Sequence, residues 1–347
     1  IQLKIRKDLS LNDLVSFIAG WALLLDYIVT IAISAFSIGP YLSNAIPHIL
    51  GIGNVPFTLI MLATLLALNI IGIKESTRVS LLLAIFGVVT QLTIITIGVI
   101  FLMELLNPTQ FLYHLQQLWV HMHVGIADSV WSPTWPQFWK GVGMAMVAYI
   151  GIESISQLAG EARHPQRTVP RAMLLTMVTL FVLYFGTSSI ALTAMTPQEL
   201  TSKYLENPLA GIAASMPFGQ WFLVPWVGLL GGTILFVAAN AGLIGASRLT
   251  FSMSEHFALP RLFYRLHPRF KTPYVSLIAF TLVAAAIVTV AKNLTHIAEL
   301  YNFGAMLSFA LAHLSLLGLR IRQPGMPRPF KVGWNFHIGR VEIPLTA

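Results

Sequence analysis

Asp26 and Glu153 stand where a carboxylate is expensive, each inside an apolar run of about 20 residues, the length that crosses a bilayer. An acid in hydrocarbon persists only where it meets a partner, a water-filled path or a ligand. The chemistry open to such groups is binding: an ionised carboxylate attracts an ammonium group or a bare cation, and a protonated one carries a proton. Asp26 is followed by Thr30, Ser34 and Ser37 at steps of four, four and three. These side chains form one polar stripe on an otherwise apolar helix, and the stripe should face protein or water.

Glu153 lies in Tyr149-Ile150-Gly151-Ile152-Glu153-Ser154, where Gly151, Gly160, Ser154 and Ser156 make a poor continuous helix. An interrupted membrane helix offers unpaired amides and carbonyls near the midplane to substrates and ions. The alternative for Glu153 is a packing role, with its carboxyl protonated or bonded to a neighbouring helix. Asn240 is a further polar candidate in a later run. Gly228 and Gly232 in that run have GxxxG spacing, which reads as close helix packing.

The elements that must position these residues are membrane spans. The chain has 347 residues, 56% hydrophobic and 10% charged, with a mean hydropathy of +0.75, whereas soluble domains carry about 25% charged residues. A water-soluble fold is excluded. Apolar runs predict eight spans, at Leu14 to Ser37, Pro56 to Ile73, Val79 to Met103, Phe138 to Ala159, Ala172 to Ala194, Trp221 to Ser247, Pro273 to Ala291 and Leu300 to Leu319. Runs of this length without strict alternation favour helices over a barrel, so the fold class is an all-α polytopic membrane protein.

The net charge of +8 is topological and does not point to nucleic acid. With eight spans, one face collects 18 of the 21 Lys and Arg residues and the other only Lys140, Lys203 and Lys292. By the positive-inside rule the crowded face is cytoplasmic, and both ends of the chain point inward. Ile1 to Lys7 lacks the form of a signal peptide, and the natural N-terminus is expected to lie upstream. The long outside connection, Glu104 to Gln137, carries Trp119, Trp131 and Trp135. In it Phe111, Leu112, Leu115 and Leu118 have helix-like spacing, which predicts an interfacial helix. His114, His121 and His123 share that stretch, but no carboxylate or Cys joins them at a ligand-like spacing, so neither a metal nor another cofactor is expected. Cys is absent.

Five stretches give the chain a resemblance to the amino acid-polyamine-organocation transporters. They are Phe17 to Tyr27, Gly72-Ile73-Lys74-Glu75-Ser76, Gly151 to Ser154 running on to Glu161-Ala162-Arg163-His164-Pro165-Gln166-Arg167-Thr168-Val169-Pro170-Arg171-Ala172, Ala246-Ser247-Arg248 to Leu259-Pro260-Arg261, and His267 to Pro273. The resemblance implies a leucine-transporter-like fold, with two inverted five-helix repeats around a midplane site built by broken helices one and six. On that plan the eight spans are helices three to ten of a single transmembrane domain. Residues 14–105 are the remainder of the first repeat and 138–320 the second. Residues 321–347 form a cytoplasmic segment leading to a further helix.

The resemblance further implies a permease of the cell membrane, with a small-molecule substrate and a coupling ion or proton as partners. Tyr149, Ile150, Gly151, Ile152, Glu153, Ser154 and Asn240 would bind substrate; Asp26, Tyr27 and Glu153 would serve coupling. One departure affects the driving ion: some proton-coupled members carry a Lys on helix five where Gly87 stands here. Asp26-Tyr27 with Thr30-Ile31-Ala32 also resembles the branch that imports potassium. Three readings therefore remain: amino acid or organic-cation importer, monovalent cation importer, and non-transporting receptor or scaffold. An enzyme is not expected, since no nucleophile-base pairing, HExxH or phosphate-cradling glycine loop is present.

Overall fold

A computed structural model of the chain describes residues 11–49, 51–122, 134–146, 149, 151–152, 155, 159, 162–291, 294–328, 330–331, 335–338 and 341–344. Helices α1 (Leu11–Leu42), α2 (Asn54–Ile71) and α3 (Ile73–Phe101) come first, followed by α4 (Pro108–Met122) and α5 (Trp135–Met146). Then come α6 (Pro165–Ala194), the short α7 (Pro197–Ser202) and α8 (Pro208–Ala214), and the long α9 (Gln220–Glu255), α10 (Tyr274–Ala291) and α11 (Leu294–Arg322). Seven of these, α1, α2, α3, α6, α9, α10 and α11, are long and apolar enough to cross a membrane. Among the described residues the departure from an all-helical chain is an antiparallel hairpin, β1 (Asn335–Ile338) with β2 (Val341–Pro344); its strands alternate in polarity but are only four residues each, the lower limit at which alternation signals a strand.

The helices outrun the apolar runs at several ends, because polar residues such as Arg320 and Arg322 extend a span past the hydrocarbon at little cost. The fourth predicted span is not continuous: α5 stops at Met146, within the run from Phe138 to Ala159. The predicted interfacial helix is α4, which leaves Leu112, Tyr113, Leu115 and Trp119 exposed and buries Leu118.

Burial singles out α1 as the centre. Of its apolar window 78% is buried, against 22% for α3 and 17% for α6. Its partner is α9, which runs antiparallel along it and presents glycines at steps of three and four. A Cβ on Gly228 would lie 2.6 Å from the Tyr41 carbonyl and 3.1 Å from the Ala45 amide. One on Gly232 would meet Leu42, one on Gly242 would lie 3.3 Å from the Tyr27 carbonyl, and one on Gly245 would press on the Tyr27 ring. Lipid gives helices no hydrophobic reason to associate, so close backbone approach and van der Waals contact must do it. The GxxxG pair is therefore a packing seam, as its spacing predicts. Leu24, Ile28, Ile31 and Ala35 on α1 join Ala239, Leu243 and Ala246 on α9 and Leu277, Phe280 and Ala284 on α10 in one core cluster.

Proline marks one end of α1. Pro40 has no N–H to give to the Phe36 carbonyl one turn back, and Asn54 Nδ2, at the start of α2, donates to that carbonyl at 3.1 Å. At the other end of the molecule His267 opens a self-closed loop: Lys271 N–H donates to the His267 carbonyl at 2.9 Å, and the amides of Arg269 and Phe270 donate to its Nδ1 at 3.3 Å. Thr272 then donates to the Ile70 carbonyl of α2 at 3.0 Å. The His267 to Pro273 stretch thus ties α10 to α2. The α7 helix carries a capping box in which Glu199 accepts from the Thr196 amide and hydroxyl, holding this exposed carboxyl below the usual range.

The seam can be tested at one backbone contact. Gly228→Ala is expected to lower stability by about 1–3 kcal/mol, because the groups its Cβ meets are main chain and cannot turn aside. Gly318→Ala, whose Cβ would meet nothing within 4 Å, is expected to change it by less than about 0.5 kcal/mol. Thermal unfolding in detergent gives both values, and equal melting temperatures would show that α9 does not depend on this approach.

Candidate functional site

Asp26 and Tyr27 lie near the middle of α1, each 2% exposed. The polar stripe faces protein: Ser34 and Ser37 are 6% and 8% exposed, and the Thr30 hydroxyl donates to the Asp26 carbonyl at 2.8 Å. The Tyr27 ring is held against Gly245 of α9. At Asp26 the neighbour is α11, where a Cβ on Gly304 would lie 3.4 Å from the Asp26 amide nitrogen and 3.4 Å from Leu25.

Helix α11 also receives α5. A Cβ on Gly143 would lie 3.5 Å from Asn302 Nδ2 and 3.8 Å from the Met306 methyl. One helix therefore touches α1 beside its acid and α5 ahead of its break. Beyond Met146 the chain is irregular at the described positions: Tyr149 lies in a 3-10 turn, and Gly151 and Ile152 form a turn with Gly151 at φ +100°. A side chain at that φ is strained, so glycine is what allows the backbone to leave the helix there. The Tyr149 ring meets Tyr184 of α6 edge-on at 6.0 Å. Ile150, Glu153 and Ser154 fall outside the described residues.

Asn240 occupies a different face. It is 5% exposed, and its Oδ1 accepts from Asn69 Nδ2 of α2 at 2.6 Å, while Asn69 also donates to the Leu65 carbonyl at 2.8 Å. Two buried amides thus join α2 to α9. Gly87 of α3 is covered, since its Cβ would lie 2.7 Å from Ile234 of α9. That helix makes polar contacts one turn further on: Thr90 accepts from the Trp226 indole at 3.4 Å, and Gln91 donates to Thr187 of α6 at 3.0 Å.

Sequence reasoning passed over Asn69 and Asn302. Both are amides inside apolar runs, and that alone marks them, because an amide in hydrocarbon needs a partner. Asn302 Oδ1 is buried and receives no hydrogen bond among the described residues, next to the half-helix that precedes the break. Among the described residues no three His, Cys, Asp or Glu side chains gather as a metal site.

A family model described as "Amino acid permease" matches residues 7–341. The chain is 26% identical over 349 residues to the branched-chain amino acid permease BcaP of Bacillus subtilis (strain 168), covering 93% of this chain and 68% of that protein. It is 26% identical over 344 residues to the methylthioribose transporter of the same organism, with the same coverages. To the branched-chain amino acid permease BcaP of Lactococcus lactis subsp. cremoris (strain MG1363) it is 26% identical over 322 residues, covering 88% of this chain and 65% of the relative. The chain spans about two thirds of the length of these relatives.

The amide pair yields a double-mutant test. Asn69→Ala and Asn240→Ala are each expected to destabilise the protein by about 1–2 kcal/mol, with a coupling of roughly 0.6 kcal/mol typical of interhelical hydrogen bonds in membranes. Thermal unfolding of the two single variants and the double variant measures the coupling. Strict additivity would show that the amides act separately and would free Asn240 for a role toward substrate.

Proposed function

The chain belongs to the amino acid permease family, and from that premise we propose that it is a secondary transporter moving amino acids across a cell membrane by alternating access, coupled to an ion or proton. The observation that carries the reading is the interrupted span: α5 ends at Met146 and the backbone turns through Tyr149 and a positive-φ Gly151, two residues before Glu153. Amides and carbonyls released at such a break can hold a substrate's carboxylate and ammonium groups. The segment from Tyr149 to Ser154 is the proposed binding element. Asp26 and Tyr27 on α1 are proposed for coupling, and Glu153 serves either task.

Residues 14–105 and 138–320 are assigned to the two inverted repeats. The buried links among α1, α2, α9 and α10 suit them to act as a scaffold, while α5, which meets α11 across Gly143, suits a part that moves. The names of two relatives favour branched-chain amino acids; that of a third favours a thio-sugar. The basic residues support the orientation, with Arg167 and Arg265 facing the cytoplasm and Lys203 facing out. Arg167 lies in the first turn of α6 and Lys203 beyond its far end, and α9 lies between Lys203 and Arg265.

Uptake assays in cells expressing the protein test the substrate and the acids together. Glu153→Gln is expected to cut amino acid uptake about tenfold or more, the loss of one hydrogen bond to a charged group, or to change its pH profile, with folded yield preserved. Asp26→Asn should be milder for an amino acid and severe for a bare cation. Wild-type uptake and pH profile in Glu153→Gln would return Glu153 to packing, and saturable rubidium uptake without amino acid uptake would establish the cation reading.

Single-cysteine labelling in intact cells tests the orientation. An impermeant reagent should modify a Cys replacing Lys203 and spare one replacing Arg265. The opposite pattern would invert the assignment.

A further inference from the structure

Where α6 begins and α11 finishes, the fold leaves a cavity of about 400 Å³, inside the range of about 300–1,000 Å³ typical of small-ligand sites. Its walls are the first turns of α6 (Pro165, Val169), the last turns of α11 (Leu316, Arg320) and the segment after α11 (Pro327, Arg328). The described lining includes two arginines and no carboxylate. Arg320 is 6% exposed and already partnered within the protein, so its guanidinium is held in the cavity wall. Arg328 is fixed in place, its guanidinium donating to the carbonyls of Gln323, Pro324 and Met326 at 2.9, 3.1 and 3.2 Å. The N-terminal dipole of α6 and the C-terminal dipole of α11 oppose one another in this space, so the positive charge of the lining is that of the arginines.

The rest of the lining is almost wholly apolar. Past the cavity α6 carries Leu174, Leu175 and Val178, which are 50%, 69% and 62% exposed, an apolar track leading away from the arginines along the span. A site with cations at one end and an apolar track at the other suits an anion that carries a hydrocarbon tail. A free phosphate would gain the cations but has no tail to cover the apolar track. We infer that this cavity seats the head-group phosphate of an anionic membrane phospholipid, whose acyl chains lie along α6. Guanidinium groups suit it, because they bind phosphate oxygens in pairs and part with water more readily than an ammonium does.

The test is native mass spectrometry, with lipid-titrated thermal unfolding, on the purified protein. The probes are phosphatidylglycerol, phosphatidylcholine of the same chain length, and glycerol 3-phosphate. Phosphatidylglycerol is expected to bind about tenfold more tightly than phosphatidylcholine. Arg320→Gln should abolish that preference. Should that variant fold poorly, Val169→Trp fills the cavity while leaving every charge, and should abolish the preference as well. Arg322→Gln, the same charge change at an exposed position on the same helix end, should leave it within about twofold. Equal affinity for the two lipids, or a preference that survives Val169→Trp, would overturn the assignment. So would a loss as large in Arg322→Gln as in Arg320→Gln, or glycerol 3-phosphate stabilising the protein as well as the lipid does.

Discussion

The close approach of α1 to α9 is the contact on which the other helices depend. Water supplies no driving force between helices in lipid, so the fold needs a place where atoms of two backbones come near enough for dispersion to accumulate. The glycines of α9 provide that place along more than four turns, from Gly228 opposite Tyr41 to Gly245 opposite Tyr27. Once α1 is seated, its remaining faces are covered by α2, α10 and α11, which explains why Asp26 can be buried at the middle of a span. A bulkier α9 would push α1 outward and open the acid to lipid.

Much of this was legible in the sequence because the bilayer imposes a length. Each continuous long helix coincides with an apolar run, and the ends differ by a few residues, beyond the run where polar residues such as Arg320 prolong the helix and short of it where α2 stops at Ile71 and α3 at Phe101. The polar stripe from Asp26 to Ser37 and the glycine spacing of α9 were readable because helical periodicity turns position in the chain into position on a face. The break near Gly151 was readable from its glycines and serines. Pairings between helices were not. The resemblance gives Asn240 a place among the substrate-binding residues, and its side-chain carbonyl meets Asn69, which lies 171 positions away. Nothing in either local sequence announces that bond. The role of the His267 to Pro273 stretch as a tie between α10 and α2 was hidden for the same reason: it ends on the Ile70 main-chain carbonyl, which has no signature in sequence.

The polar contacts of the spans divide into two kinds. Some spend their hydrogen bonds between helices: Asn69 with Asn240, Thr272 with Ile70, Gln91 with Thr187. These resist separation, because parting the helices would leave amides or hydroxyls in hydrocarbon. The contact of α5 with α11 at Gly143 is instead glycine against Asn302 and Met306, a surface across which sliding breaks little. Where a helix is bonded and where it only touches follows from which residues evolution placed on the seam.

Pro40 and Asn54 illustrate a dependence between positions that neither reveals alone. The proline leaves the Phe36 carbonyl without its helical donor, and the asparagine supplies one from the next helix. The coupling is lopsided. Taking away the asparagine while the proline stays would orphan a carbonyl in the most buried helix, whereas taking away the proline while the asparagine stays would leave only a spare donor at the start of α2. How much change position 54 tolerates is therefore set by what stands at position 40, through the geometry of one missing hydrogen.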